Sequence, residues 1–206
     1  MARILGIDEA GRGCVLGGLY VGAFLTTLEA IPHLEAAGVT DSKRLSPRRR
    51  ATLRRLLPEF GTTDLRVIPA EAIDAGNLNR LEEDAIVSLI RATQPDAVMI
   101  DALGHPRTLD ATLQRLRDRL GAHAPLLAME PKADANHRHV GAASIVAKEA
   151  RDVALDELKA VHGELGSGYP SDPKTRLWLT TQWAAHHRWP SFVRTRWGTI
   201  TDIEGA

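Results

Sequence analysis

The chain has 206 residues, 44% of them hydrophobic, with 26 basic and 26 acidic side chains and one cysteine. That length supports one well-packed domain with a small extension. The neutral balance excludes a uniformly basic coat for nucleic acid, and a lone Cys14 excludes an internal disulfide. Asp8 interrupts the N-terminal apolar run too early for a signal peptide or membrane span. A soluble protein of a reducing cytoplasm, monomeric by default, is expected.

In chain order, "ARILGID" reads as a short strand, and "GGLYVGAFLTT" as a second one pairing with it over residues 3–27. Between them stand adjacent carboxylates, Asp8 and Glu9, and the turn Gly11-Arg12-Gly13. Successive strand side chains point to opposite faces, so the two acids share a site only if the strand ends or bends there; the glycines permit that. Ser46-Pro47 opens a helix with Leu53, Leu56 and Leu57 inward. "DLRVIPA" (64–70) reads as a third strand, and Leu78, Leu81, Ala85 and Leu89 mark an amphipathic helix from about 79 to 92.

"DAVMIDALG" (96–104) carries a continuous apolar run that ends at Asp101, as in a strand covered on both faces. Ligands of such sheets sit beyond the carboxyl ends of strands, where Asp101 falls. A helix over 108–120, a strand in "PLLAMEP" (125–131) and a long helix over 139–163 follow, the last with Val146, Ala150, Val153, Leu158 and Val161 inward. The glycine- and proline-rich 166–173 is a hinge to a helical tail. The pattern indicates an α/β domain over 1–165 with a mixed sheet, and a helical C-terminal extension over 166–206.

Residues 41–60 carry seven basic side chains against two acids, and residues 174–198 carry five basic side chains, no acid and all four tryptophans. Basic residues interleaved with aromatics suit a nucleic-acid backbone; the alternative is a solvated helix face and a small aromatic core. No GxxxxGK[ST] loop is present, Leu16 replaces the third glycine of a GxGxxG turn, and zinc-ligand spacing is absent. What remains is carboxylates at strand and loop ends. Two of them about 5 Å apart repel by about 3 kcal/mol at an effective dielectric near 20. Hard oxygen donors of this kind suit Mg²⁺ or Mn²⁺, and about four negative charges match two such ions. The alternative for Asp8 and Glu9 is a solvated turn.

The segments "GIDEAGRG" (6–13), "TDSKRLS" (40–46), the strand ending in Asp101, "KADA" (132–135), "AASIVAKEARD" (142–152) and "GSGYPSDPKT" (166–175) stand in one order. In that order the chain resembles type 2 ribonuclease H, the ribonuclease HII family. The resemblance implies an RNase H-like fold, a mixed five-stranded sheet flanked by helices with a substrate-holding C-terminal helical extension. It implies two Mg²⁺ or Mn²⁺ ions held by Asp8, Glu9, Asp101 and Asp134; Glu130 and Asp152 are the neighbouring alternatives to the last. It further implies that backbone groups of Gly11, Arg12 and Gly13 read a ribonucleotide's 2′-hydroxyl, that Tyr169 packs on the next sugar, and that Lys43 and Lys148 contact phosphates. The expected substrates are RNA/DNA hybrids and DNA duplexes containing single ribonucleotides, cut to 3′-hydroxyl and 5′-phosphate ends in ribonucleotide removal and primer processing.

Cys14 and Gly18 stand where many members of that family carry proline, which predicts a looser turn, and "VRTRW" (193–197) departs from the commoner ending. Ribonuclease HIII is set aside because a first strand at Arg3 leaves no room for its N-terminal domain. A non-catalytic hybrid-binding module does not require all four acids, and an actin-like kinase requires a DxGxT-type loop that "DEAGRG" lacks. The tail "TDIEGA" shows no sliding-clamp motif.

Overall fold

A computed structural model describes residues 1–102 and 106–205. The end of the expected 96–104 strand, at 103 and 104, lies outside the described residues. Five strands form one mixed sheet: β1 (Arg3–Ala10), β2 (Leu19–Thr27), β3 (Thr62–Ile68), β4 (Ala97–Asp101) and β5 (Leu126–Glu130), in spatial order β3-β2-β1-β4-β5. β1, β2 and β3 are antiparallel neighbours, whereas β4 runs parallel to both β1 and β5. The mixed sheet expected from the sequence is therefore present.

Helices cover both faces. On one, α4 (Leu78–Thr93) and α5 (Leu109–Leu120) close a core with Leu5, Ile7, Val21, Ile86, Leu89, Ile100 and Leu116. On the other, α1 (Ile31–Ala36), α2 (Pro47–Leu56) and α7 (Arg138–His162) pack on Phe24, Leu34, Leu53 and Val146. The remaining helices are α3 (Ala70–Ala75), α6 (Ala133–Asn136), α8 (Pro173–His186) and α9 (Gly198–Glu204). Ser46 caps α2 by accepting from the Arg49 N–H, and Pro47 occupies its first turn. Among the described residues, no helix is long and apolar enough to cross a membrane.

The start of α7 is built for close approach. A Cβ on Gly6 of β1 would stand 2.3 Å from the His139 carbonyl, and one on Gly22 of β2 would stand 2.5 Å from that of Ala143. Bare backbone on the sheet and the small residues Gly141, Ala142, Ala143 and Ser144 on the helix let α7 lie directly over β1. At 25 residues α7 runs about 38 Å and outlasts the sheet. The expected inward positions of Val153 and Val161 are wrong: both are more than half exposed, because this part of α7 buries the face of Leu155 and Leu158 instead.

A third core joins Val15, Leu16 and Leu155 to Leu165, Leu179, Val193 and Ile200. Hydrophobic packing thus runs across the expected boundary at 165/166. The aromatic-core alternative holds for the tryptophans: Trp183 stacks on Trp189 at 5.1 Å, Trp178 packs on Phe192, and Trp197 lies over the Arg194 guanidinium. The basic stretch 41–60 is not wholly solvated either. Arg50 is buried and pairs with Glu149 at 2.6 Å and Asp152 at 2.7 Å.

Candidate active site

β1 does not end at Asp8. Its ladder with β2 stays in register through Asp8–Gly22, Glu9–Val21 and Ala10–Tyr20, and the chain turns only at Gly11, whose φ of +89° favours glycine. Alternation then separates the two acids. Asp8 shares its face with Gly22 and α7, where the nearby Ser144 hydroxyl favours its charged form; Glu9 shares its face with Val21 and α4 and senses Arg12. Both nevertheless feel the charge of Asp101, which follows Ile100, the register partner of Ile7. The parallel β1–β4 pair brings these acids to one end of the sheet.

Asp134 arrives from α6, a single helical turn. Asp101 fixes that turn by accepting from the Ala133 N–H at 2.7 Å. Asp134 is 2% exposed, senses Asp101 and Asp41, and lies 3.6 Å from the Lys43 ammonium. Of the two alternatives, Glu130 turns away to Asn136 and His137, and Asp152 is held by Arg50, Lys148 and Arg151.

These carboxyls are electrostatically uncomfortable. Burial, then Glu9 and Asp101, pushes Asp8 well above the ordinary carboxyl range. Burial also raises Glu9 against the opposing pull of Arg12, and raises Asp134 against that of Lys43. Glu9 Oε2 and Asp134 Oδ2 are buried with no hydrogen-bond donor, Oδ2 having only the Lys43 ammonium at 3.6 Å, beyond hydrogen-bond reach. Buried acceptors without donors cost about 1–3 kcal/mol, so the oxygens fit a cation as partner. As placed, no three Asp, Glu, His or Cys side chains among the described residues form a ready metal cluster. The expected convergence is a set of coupled neighbours rather than a closed cage, as mutual repulsion favours.

The Gly11-Arg12-Gly13 turn lies alongside. The Arg12 guanidinium is not free: it pairs with the fully buried Glu82 of α4 and donates to Asn79. Tyr169 reaches the same turn, and a Cβ on Gly13 would stand 3.7 Å from its ring. The guanidinium of Arg151 lies over the Tyr169 ring, 5.3 Å from its centroid. Lys43 is largely exposed, whereas the Lys148 ammonium donates to Asp152 at 2.8 Å and is committed to that ion pair.

Several residues here escaped the sequence reading. Ser42 and Ser144 share a 2.7 Å hydrogen bond, linking the 40–46 loop through α7 to Asp8. A serine inside the apolar "AASIV" run, and Glu82 on the apolar face of α4, were the available signals. Arg194 gave none. It is fully buried and donates to the carbonyls of Gly11, Arg12 and Gly17. The turn expected to be loose is held from both sides.

A sequence profile described as Ribonuclease HII matches residues 5–200. The ribonuclease HII of Thermococcus onnurineus is 40% identical over 210 residues, covering 98% of this chain and 90% of that protein. The crystal structure of ribonuclease H2 from Pyrococcus horikoshii superposes with a TM-score of 0.88 at 33% identity, covering 98% and 97% of the two chains. A ribonuclease HII from Archaeoglobus fulgidus, solved in complex with PCNA, gives 0.83 at 34% identity over 94% of each chain. Full-length similarity in sequence and in fold, centred on a sheet whose parallel β1–β4 pair gathers the acids, has one reading: the chain belongs to the ribonuclease HII family and is a ribonuclease H, a hydrolase.

Proposed function

We propose that this ribonuclease H cuts the RNA strand of RNA/DNA hybrids and also cuts 5′ of a single ribonucleotide embedded in duplex DNA, leaving 3′-hydroxyl and 5′-phosphate ends. Asp8, Glu9, Asp101 and Asp134 are the residues that would hold two divalent ions, Mg²⁺ or Mn²⁺. The observation carrying this reading is the pair of buried, donorless oxygens, Glu9 Oε2 and Asp134 Oδ2, in a set of mutually repelling carboxyls. The chemistry such ions supply when bound is activation of the attacking water and neutralisation of charge on the leaving 3′-oxygen.

The chain's own groups do the rest. With the Arg12 side chain occupied by Glu82 and Asn79, the backbone of the turn is what remains to meet a 2′-hydroxyl, the group that distinguishes RNA from DNA. Tyr169, whose ring lies beside Gly13, packs on the next sugar in this reading. In the same reading Lys43, exposed at the rim of the carboxyls, contacts a phosphate. Lys148 reaches one only by leaving Asp152, so its contribution is conditional on that exchange. Residues 166–206 serve as a substrate-holding extension in this reading, which also places the enzyme in removal of misincorporated ribonucleotides and primer remnants.

The test is cleavage of a duplex bearing one ribonucleotide, with and without Mg²⁺ or Mn²⁺. A single cut 5′ of the ribonucleotide, dependent on metal, is expected. Cleavage in EDTA at the same rate, or an uncut mixed duplex beside a cut RNA/DNA hybrid, would overturn the reading.

A further inference from the structure

The turn at Gly11-Arg12-Gly13 is enclosed by two distant stretches of chain. On one side the N–H groups of Val15 and Leu16 donate to the Gly168 carbonyl, next to Tyr169. On the other, Gly17 donates to Phe192, Arg194 donates its own N–H to Val15, and Leu16 bridges to Val193. From that second side the Arg194 guanidinium enters the turn. Its Nη2 donates to Gly11 at 2.7 Å, its Nη1 to Arg12 at 2.9 Å and its Nε to Gly17 at 2.8 Å. Arg194 is 0% exposed, and its hydrogen bonds go to backbone carbonyls rather than to a carboxylate.

Burying a guanidinium without a hydrogen-bonded acid is costly, and three carbonyls arranged around it are a specific compensation. Their geometry has a consequence for the opposite edge of each peptide. A trans peptide is planar, with its carbonyl and N–H pointing in opposite directions, and no cis bond is present among the described residues. Drawing the Gly11 and Arg12 carbonyls inward therefore turns the N–H groups of Arg12 and Gly13 outward. None of the described residues accepts from either N–H.

We infer that Arg194 is a positioning residue for ribonucleotide discrimination: by fixing the Gly11 and Arg12 carbonyls, it presents the Arg12 and Gly13 N–H groups to the oxygen of a substrate 2′-hydroxyl. The inference rests on the proposed reading role of the turn. Through it the C-terminal segment sets ribose selectivity as well as affinity. Trp197 supports the arrangement by lying over the guanidinium at 5.0 Å, which holds its plane. Arginine is required because its planar fork reaches three acceptors at fixed angles, which an ammonium cannot do.

The experiment compares two constants in parent and Arg194→Lys enzyme: KM for a duplex with one ribonucleotide, and Ki of the identical all-DNA duplex as competitor. In the variant, KM is expected to rise about tenfold while Ki stays within about twofold, because only ribose meets the displaced N–H groups. Trp197→Leu, which loosens the guanidinium without removing it, should shift the same ratio in the same direction by less, and decides the question if Arg194→Lys does not fold. KM and Ki rising together, or an unchanged ratio in a folded variant, would show Arg194 to be structural only and overturn the inference. Equal KM and Ki already in the parent would instead overturn the reading role of the turn, and the inference with it.

Discussion

Replacing Asp8 with Asn should abolish turnover and, in EDTA, make the protein more stable. The Asp8 carboxylate is buried on β1 with two negative neighbours, Glu9 and Asp101. One such neighbour about 7 Å away costs about 2 kcal/mol at an effective dielectric near 20, so two set a gross penalty of about 4 kcal/mol. Against this, the carboxylate accepts from the Glu9 N–H at 2.7 Å and its charge is favoured by the Ser144 hydroxyl, and both contributions weaken when the group becomes neutral, by about 1 kcal/mol each. The net gain is about 2 kcal/mol, or about 4–8 °C in Tm for a chain of this length. The sign with pH follows from the direction of the shift. Because the folded carboxyl titrates above its ordinary value of 3.8, its penalty is absent below that value, sets in as pH rises towards the folded value, and is complete above it. Thermal melts in EDTA from pH 4 to pH 8 should therefore show parent and variant converging at the acid end and separating at the alkaline end. Added Mg²⁺ should raise the parent Tm more than the variant's, and kcat of the variant should fall by about a thousandfold or more. A variant that melts at or below the parent in EDTA at pH 8, while cutting at a similar kcat, would refute both the repulsion argument and the role of Asp8.

The acids around Asp134 separate in a second comparison. At saturating Mg²⁺, Asp134→Asn should lose about a hundredfold or more in kcat. Glu130→Gln, whose carboxylate faces Asn136 and His137, should stay within about threefold, and Asp152→Asn should chiefly lower Tm by breaking its contacts with Arg50, Lys148 and Arg151. An inactive Glu130→Gln beside an active Asp134→Asn would reverse the assignment. Tyr169→Ala, which removes the ring beside Gly13, should reduce kcat/KM for an isolated ribonucleotide about tenfold more than for a long RNA stretch at fixed salt. Equal losses on the two substrates would leave Tyr169 as packing for the hinge.

What the sequence by itself determined is what depends on local pattern. Alternation and apolar runs located the five strands, the 3.6-residue period located α4 and α7, and Ser46-Pro47 marked the start of α2. The ordered motifs singled out Asp8, Glu9, Asp101, Asp134 and the Gly11-Arg12-Gly13 turn as candidates, because each motif is contiguous in the chain. Tertiary structure decided the properties that depend on which distant residues meet. Whether Asp8 and Glu9 occupy one face was settled by the β2 ladder, which continues through Ala10. Whether Lys148 is free was settled by its ion pair with Asp152, and whether Val153 packs inward was settled by the third core, which takes the Leu155 face of α7 instead. The hold on the turn was least visible of all. Arg194 stands 183 positions from the Gly11 carbonyl it binds, and a backbone acceptor has no residue identity to read, so no spacing or composition of side chains encodes that contact before the chain folds.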